Sequence, residues 1–320
     1  MATRALITGI GGQDGSYLAE LLVGQGHEVI GVERPGAASS PPNLAAIEGR
    51  YAMAEADLCE AASVVDLVER VRPTCVFNLA ATSFVPASWL HPTPVVAMAA
   101  SSTAAFLDAI VNVDRDIRFF QAASAEVFGR PAESPQSETT PIAPITPYGA
   151  GKALGLFLTR MYRERFDLHA SCGILFNHES PRRPVDFVTR KVTRAAAAIS
   201  LGLEDELRLG SLDAGRDWTY AGDVVRGIAL MVAGDRPGDY VLASGETHSI
   251  RDLLDVAFGH VGLDWRDHVE VDESLSRPHE AATICGDPSK AERDLGWRRE
   301  VPFGDLIAMM VDADLAALKA

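Results

Sequence analysis

Residues 4–22 read RALITGIGGQDGSYLAELL, and this stretch decides the fold class. Its first five residues form an apolar run with the length of a short buried strand, and the three leucines of its second half have the spacing of one helix face. Gly9, Gly12 and Gly15 lie between them. Glycine lets the backbone turn tightly and approach a pyrophosphate, and the free N–H groups of a helix N-terminus attract the anion. The pattern predicts a dinucleotide-binding unit.

Strand and helix patterns alternate through the first half of the chain and become less regular after residue 172. Further strands are predicted at 28–32, 75–81 and 118–122, and helices at 63–70, 98–110 and 148–166. This alternation is typical of a parallel sheet with helices on both faces. We therefore predict an α/β protein: a Rossmann-type doubly wound parallel sheet with a smaller α/β C-terminal substrate lobe. The predicted sheet domain takes 1–172 with a return at 214–243, and the lobe takes 173–213 and 244–320.

The composition suits a globular protein of one or two domains. Of the 320 residues, 23% are charged and 47% are hydrophobic. No apolar run reaches about 18 residues and the N-terminus does not read as a signal peptide, so we expect a cytoplasmic protein without a membrane partner. A net charge of −15 disfavours nucleic acid. The four scattered cysteines predict buried thiols and no metal site.

Tyr148 and Lys152 stand four residues apart in a predicted helix and therefore share one face. Tyrosine is a poor base at neutral pH because its pKa is about 10. A lysine ammonium held close favours the phenolate, and a fall of three units in the pKa needs roughly 4 kcal/mol. The spacing alone is common by chance. Ser124 and Glu126 strengthen the interpretation because they follow the strand at 118–122, and ligands bind at the carboxyl ends of parallel strands.

The residues after the second strand leave the choice of cofactor open. Glu33 stands about 20 residues past the glycines, where an acid accepts hydrogen bonds from the adenosine ribose and favours NAD. Arg34 follows it, and an arginine there pairs with the 2′-phosphate of NADP. Asp57 and Leu58 are expected to end a further strand and to contact the adenine.

Longer motifs resemble one family, the GDP-mannose 4,6-dehydratases of the extended short-chain dehydrogenase/reductase superfamily. The motifs are residues 8–20 (TGIGGQDGSYLAE), 173–183 (GILFNHESPRR), 187–191 (FVTRK), 209–218 (LGSLDAGRDW) and 277–280 (RPHE). The resemblance covers nearly the whole chain. It implies a Rossmann domain that binds NADP, with NAD as the alternative, and a lobe that binds a nucleotide sugar, GDP-mannose.

The resemblance also implies a chemistry. Tyr148 takes the C4 hydroxyl proton as a hydride leaves C4 for the nicotinamide, and Ser124 bonds the C4 oxygen. Glu126 removes the C5 proton and donates a proton to the water that leaves C6, after which the hydride returns to C6. Lys152 holds the nicotinamide ribose and lowers the tyrosine pKa. A plain epimerase or reductase needs no acid/base at C5 and C6, so Glu126 is the deciding residue.

The ligand-binding residues follow from the same resemblance. The cofactor-binding set is Gly9, Gly12, Gln13, Asp14, Gly15, Arg34, Asp57, Leu58, Leu79, Ala80, Ala81, Tyr148, Lys152 and His178. The substrate-binding set is Ser83, Asn177, Val188, Lys191, Arg216, Arg277 and Glu280. Arginines suit a diphosphate because their forked donors match its oxygens.

Three positions depart from the pattern of the family. Ala125 replaces a second hydroxyl residue, Phe84 stands where histidine is usual, and Pro35 stands where a second arginine is common. Because the run that begins at Phe84 resembles the GDP-4-keto-6-deoxymannose reductases, a reductase or an epimerase of the same fold remains the alternative function. The resemblance implies a homodimer through the helices at 98–110 and 148–166, with a tetramer as the alternative.

Overall fold

The computed structural model describes residues 3–37, 41–275 and 283–319. Its strands are β1 (Arg4–Thr8), β2 (Glu28–Glu33), β3 (Ala52–Glu55), β4 (Cys75–Asn78), β5 (Arg118–Ser124), β6 (Ala170–Leu175), β7 (Asn177–Glu179), β8 (Leu207–Leu209), β9 (Gly215–Arg216), β10 (Trp218–Tyr220), β11 (Asp239–Leu242), β12 (His248–Ser249), β13 (Val269–Val271) and β14 (Thr283–Ile284). Its helices are α1 (Gln13–Gly24), α2 (Ala61–Val71), α3 (Val85–Leu90), α4 (Pro92–Val113), α5 (Pro147–Phe166), α6 (Val188–Ser200), α7 (Ala221–Ala233), α8 (Ile250–His260), α9 (Ser289–Leu295) and α10 (Phe303–Lys319).

Seven parallel strands form the central sheet, in the order β11-β6-β5-β4-β1-β2-β3. The order reverses at β1, because the chain builds β2 and β3 on one side and then crosses to β4, β5 and β6 on the other. Ligands of such sheets bind at the carboxyl edge beside the reversal. Thr8, Asn78 and Ser124 end their strands at this edge. The predicted Rossmann-type doubly wound sheet is confirmed.

Helices cover both faces of the sheet because its strands are apolar on both sides. On one face, α1 and α7 pack together, and Leu18 and Ile228 join Ile7 of β1 in one buried cluster. On the other face, α4 packs between α2 and α5, and Leu67 and Phe106 belong to a second buried cluster. The carboxyl edge stays accessible between these two layers.

A further apolar core lies outside the central sheet. Helices α6, α8 and α10 pack against one another around Val192, Leu254, Phe258 and Met310. Three small sheets accompany them, in the orders β10-β7, β12-β9-β14 and β13-β8. Strand β11 belongs to the central sheet and α7 packs on α1, although both follow β7 to β10 in the sequence. The division of the chain at residues 172, 213 and 243 stays a prediction.

The expected strand end at Asp57 and Leu58 is wrong, because β3 already ends at Glu55. Asp57 starts a turn in which its carboxylate accepts a hydrogen bond from Cys59 N at 2.9 Å. The Ser63 hydroxyl accepts a hydrogen bond from Asp57 N at 3.0 Å. Short polar side chains that bond to nearby backbone groups compete with a strand ladder in this way.

Among the helices of the described ranges, α4 is the one whose length and apolar composition would allow it to cross a membrane. Half of the apolar window is buried inside the protein. Ala105, Phe106, Leu107, Ala109 and Ile110 are covered by neighbouring elements. We therefore assign the apolar character of α4 to the core of the doubly wound fold.

The loop between Phe128 and Pro147 covers the edge of the sheet at β11. The carboxylate of Glu138 accepts a hydrogen bond from Val241 N at 2.7 Å. Gln136 also anchors the loop, because its backbone N–H donates to Cys285 O at 2.8 Å and its carbonyl accepts from Asp287 N at 2.8 Å. The loop thus ties the sheet to the chain that follows β14.

Candidate active site

The glycine turn after β1 forms a cradle with no room for side chains. Gly9 has a φ of 68°, which favours glycine, and a Cβ at this position would lie 3.1 Å from Ala80 Cα. A Cβ at Gly15 would lie 2.2 Å from the carbonyl oxygen of Gly9. Gly12 precedes α1, whose first N–H groups therefore face the same space. These features fit the pyrophosphate of a dinucleotide.

The hydroxyl of Thr8 fixes the exit of β4 beside this turn. It donates to Asn78 Oδ1 at 2.9 Å and accepts from Leu79 N and Ala80 N at 3.0 Å each. Leu79, Ala80 and Ala81, all predicted to bind the cofactor, are therefore held next to the glycine turn. Thr8 was not among the predicted site residues, although a polar residue at the end of an apolar strand was the available signal.

Asp14 and His178 form an ion pair across the cleft. Asp14 Oδ2 lies 2.8 Å from His178 Nε2, and His178 Nδ1 lies 2.6 Å from Phe176 O. Burial raises the pKa of Asp14, but His178 and Gln13 lower it to about 2. Burial lowers the pKa of His178, but Asp14 outweighs this and the net shift is upward. Gln13 donates to His178 O at 3.0 Å, so three predicted cofactor-binding residues form one network.

The predicted adenosine-binding residues lie at the other end of the cleft. Arg34 follows β2 and is exposed, and Asp57 is exposed in the turn after β3. Leu58 is buried against the second cluster. Ala56 N donates to Glu33 O at 3.0 Å, so the chain leaves β2 and β3 side by side. Arg34 and Asp57 therefore lie in neighbouring segments.

Ser124 and Glu126 stand at the carboxyl end of β5. The hydroxyl of Ser124 caps the short turn Ala125–Phe128 and accepts a hydrogen bond from Glu126 N at 3.3 Å. Glu126 lines the substrate cavity described below. Both residues therefore lie where the strand order predicted them.

Tyr148 and Lys152 lie on α5, whose first turn packs against this strand end. Lys152 is 5% exposed, and its Nζ donates to Ala122 O at 2.8 Å. The same Nζ lies 5.7 Å from the centre of the Tyr148 ring. The tyrosine and the lysine therefore share one helix face, directed at the end of β5.

The pKa of Tyr148 moves in the direction opposite to the expectation. Burial raises it to about 12, the Glu126 carboxylate adds to the rise, and a hydrogen bond with Ser124 opposes it. Burial also lowers the pKa of Lys152 to about 8. The expected drop is absent because desolvation of the phenolate dominates.

A cavity of about 540 Å³ opens between the sheet edge and the lobe. It is lined by residues of both regions, including Glu126, Asn177, Val188, Lys191 and Arg216. Four of the predicted substrate-binding residues therefore share one space with the predicted acid/base. Ser83 is exposed and adjoins the cavity through its neighbour Phe84. Arg277 and Glu280 lie outside the described residues.

Arg183 is a residue of this site that the sequence analysis did not assign. Its guanidinium stands 3.6 Å above the Phe187 ring and pairs with Glu179 at 3.1 Å, and the side chain is 11% exposed. Its charge lowers the pKa values of Tyr148 and Asp14. The two arginines of residues 179–183 (ESPRR) were the available signal, but the sequence did not indicate which of the two side chains turns inward.

Thr146 is the second residue that was missed. Its hydroxyl accepts from Gly149 N at 2.9 Å and donates to Glu126 Oε2 at 3.4 Å. A threonine directly before Pro147 is a typical helix start, which predicts the cap but not the contact with Glu126.

Comparison with known proteins agrees with this geometry. The sequence profile described as GDP-mannose 4,6 dehydratase matches residues 6–310 of the chain. The chain belongs to the GDP-mannose 4,6-dehydratase family. It is 44% identical over 327 residues to GDP-mannose 4,6 dehydratase 1 of Arabidopsis thaliana, which covers 98% of this chain and 90% of the relative. It is 38% identical over 342 residues to the GDP-mannose 4,6 dehydratase of Homo sapiens, which covers 98% of this chain and 92% of the relative.

The resemblance to dehydratases also holds for a solved three-dimensional structure. DesIV, a dTDP-glucose 4,6-dehydratase from Streptomyces venezuelae with NAD and TYD bound, superimposes with a TM-score of 0.85 at 25% identity. The match covers 97% of this chain and 96% of DesIV. The protein is therefore an enzyme of the dehydratase class with a nicotinamide cofactor and a nucleotide-sugar substrate.

Proposed function

We propose that the protein converts GDP-mannose to GDP-4-keto-6-deoxymannose by internal hydride transfer and loss of water. The observation that carries this proposal is the position of Glu126. Its side chain lines the cavity and sits beside the helix that presents Tyr148. A carboxylate at this position supplies the acid/base group that an elimination needs and that a simple reductase or epimerase lacks.

Tyr148, Ser124 and Lys152 perform the proton transfer at C4. A bound nicotinamide would supply the hydride acceptor and donor, held by Lys152 and by the glycine turn. Tyr148 takes the hydroxyl proton, and Ser124, which bonds the phenol, also holds the C4 oxygen. Lys152, fixed by Ala122 O, binds the nicotinamide ribose. These roles follow the family pattern residue by residue.

Lys191 and Arg216 recognise the nucleotide end of the substrate. Both line the cavity, and Lys191 Nζ donates to Arg208 O at 2.6 Å, which fixes the long side chain. Arg216 donates to Gly215 O at 2.8 Å and lies on β9. Two cations at one wall suit a diphosphate. Arg277 and Glu280 remain predicted contacts for the same part of the substrate.

Arg34 favours NADP over NAD as the cofactor. It is exposed directly after β2, whose last residue accepts a hydrogen bond from Ala56 N in the segment that leads to Asp57. A guanidinium there pairs with a 2′-phosphate, whereas NAD offers no such charge. Titration of wild type and Arg34→Ala with both cofactors measures this preference, and equal affinities of the wild type would contradict it.

The protein forms a homodimer through α4 and α5 and acts in the cytoplasm. Leu154, Phe157 and Met161 follow one face of α5 and are 39%, 43% and 54% exposed. Trp89 and Leu90 of the adjacent α3 are 63% and 76% exposed. Large apolar side chains grouped in this way are typical of a protein–protein interface.

The function is tested by mass spectrometry of GDP-, UDP-, dTDP- and CDP-hexoses incubated with the holoenzyme and no added reductant. We expect loss of one water from GDP-mannose. A requirement for stoichiometric NADPH would instead identify a 4-keto-sugar reductase, the alternative that Phe84 in the cavity wall favours.

The variant Glu126→Gln tests the assignment of the acid/base. It keeps the size of the side chain but cannot take a proton, so we expect water loss to fall by about 100-fold or more while cofactor reduction persists. Glu133→Gln, at an exposed position of the following loop, is the matched control. Dehydration by Glu126→Gln at the wild-type rate would disprove the role of Glu126.

A further inference from the structure

The hydroxyl of Thr146 joins the acid/base residue to the helix that carries Tyr148. Its oxygen accepts a hydrogen bond from Gly149 N at 2.9 Å, which caps the first turn of α5. The same hydroxyl donates to Glu126 Oε2 at 3.4 Å, at the long end of the hydrogen-bond range. A hydroxyl has one donor and two acceptor sites, so both bonds form at once.

Gly149 lets the helix end approach Glu126 closely. A Cβ at Gly149 would lie 2.6 Å from the Glu126 carbonyl oxygen and 3.1 Å from Thr146 Oγ1. Any larger residue would therefore separate α5 from the turn that carries Glu126. The N-terminus of a helix has a partial positive charge, which favours a nearby carboxylate over a neutral acid.

We propose that Thr146 is a positioning residue for Glu126, whose carboxylate its hydroxyl orients toward the substrate cavity. The inference rests on the proposed function. In the step concerned, the C5 proton moves to a Glu126 oxygen and its electron pair forms the C5–C6 double bond. The C6–oxygen bond breaks, and Glu126 gives the proton to that oxygen, so that one water leaves and the carboxylate is restored.

A role for Thr146 as a helix cap alone makes a different prediction. Loss of the cap would loosen the first turn of α5, which carries Tyr148, and hydride transfer from C4 would slow first. Loss of the bond to Glu126 slows the elimination instead and leaves hydride transfer fast. The two half-reactions therefore separate the two roles.

Four variants make the experiment specific. Thr146→Val removes both bonds, and Thr146→Ser keeps both. Thr146→Asp keeps a capping oxygen but has no proton to donate to Glu126 at neutral pH. Thr159→Val is the matched control, because the hydroxyl of this buried threonine donates to Gly155 O of the same helix at 2.8 Å.

Each holoenzyme is mixed with GDP-mannose while nicotinamide absorbance reports hydride transfer and mass spectrometry reports water loss. In Thr146→Val and Thr146→Asp we expect water loss to slow by about 10- to 100-fold, the amount expected for a lost bond to a charged group. Reduced cofactor should accumulate in Thr146→Asp, which keeps the helix cap, and KM should change little. Thr146→Ser and Thr159→Val should behave as wild type.

Two results would overturn the proposal. One is water loss at the wild-type rate in both Thr146→Val and Thr146→Asp. The other is slow hydride transfer in Thr146→Val together with normal kinetics in Thr146→Asp, which would leave only the capping role. A wild-type enzyme that removes no water from GDP-mannose would instead refute the proposed function, so the two failures are distinguishable.

Discussion

The phenol of Tyr148 is a weaker acid in this protein than free tyrosine. Burial raises its pKa to about 12, and Ser124 and Arg183 offset only part of that rise. In the proposed mechanism, Tyr148 would need a further positive charge to act as a base, and an oxidised nicotinamide beside Lys152 would supply it. The burial that disfavours the phenolate also strengthens its attraction to such a charge, because the interaction is less screened than in water.

Asp14 provides a prediction on pH. Its pKa is about 2 in the folded protein, compared with 3.8 for an unperturbed aspartic acid. Between these two pH values the unfolded chain binds more protons than the folded protein. The stabilisation by Asp14 is therefore fully present above about pH 4 and is lost as the pH falls toward 2. At about 1.4 kcal/mol per pKa unit, the contribution is roughly 2 kcal/mol.

Urea unfolding at a series of pH values measures this effect. We expect the difference in unfolding free energy between wild type and Asp14→Asn to shrink from pH 5 to pH 2. Asp116→Asn, at an exposed position between α4 and β5, is the control. A constant difference for Asp14→Asn would refute the linkage.

The strand–glycine–helix element was predictable because its determinants are local. Apolar spacing and three glycines specified β1, the turn and the start of α1, and the sheet then placed the turn at its carboxyl edge. By contrast, Asp57 ended β3 earlier than expected through bonds to Cys59 and Ser63. Such side-chain-to-backbone bonds leave little trace in hydrophobic periodicity.

Gly15→Ala tests the turn as an element. The added methyl would lie 2.2 Å from Gly9 O and 2.6 Å from Ile10 Cα, which are backbone atoms that cannot step aside. We expect cofactor affinity to fall by about 100-fold or more, since the turn must open. Isothermal titration calorimetry with NADP measures this affinity.

Gly24→Ala on the same helix is the control for this variant. A Cβ at Gly24 meets nothing within 4 Å, so alanine should stabilise α1 by about 0.5–1 kcal/mol and leave binding unchanged. Wild-type affinity in Gly15→Ala would show that the turn tolerates a side chain.

At the scale of the whole molecule, the sequence predicted which types of residue lie together in the cavity but not every contact that they make. The cavity joins Phe84, Glu126, Lys191 and Arg216, which are distant in sequence, and their convergence followed from the sheet order and the family motifs. The inward turn of Arg183 and the bond from Thr146 to Glu126 depend on tertiary packing, which no local pattern encodes.

The proposed dimer is tested by Phe157→Glu, which places a charge in the exposed apolar face of α5. Burying an unpaired carboxylate in an interface is costly. We therefore expect size-exclusion chromatography coupled to light scattering to give the variant half the molar mass of the wild type. Leu203→Glu, at a position 60% exposed after α6, should remain dimeric. A dimeric Phe157→Glu variant would place the interface elsewhere.

Glu138 has a consequence for how copies of the chain meet. A free strand edge offers its N–H groups to strands of other molecules and so invites aggregation. At β11 the carboxylate of Glu138 already occupies the N–H of Val241, and the chain around Gln136 pairs with residues 285–287. This edge therefore has one N–H fewer to offer to a strand of another molecule, so association by strand addition at β11 is disfavoured.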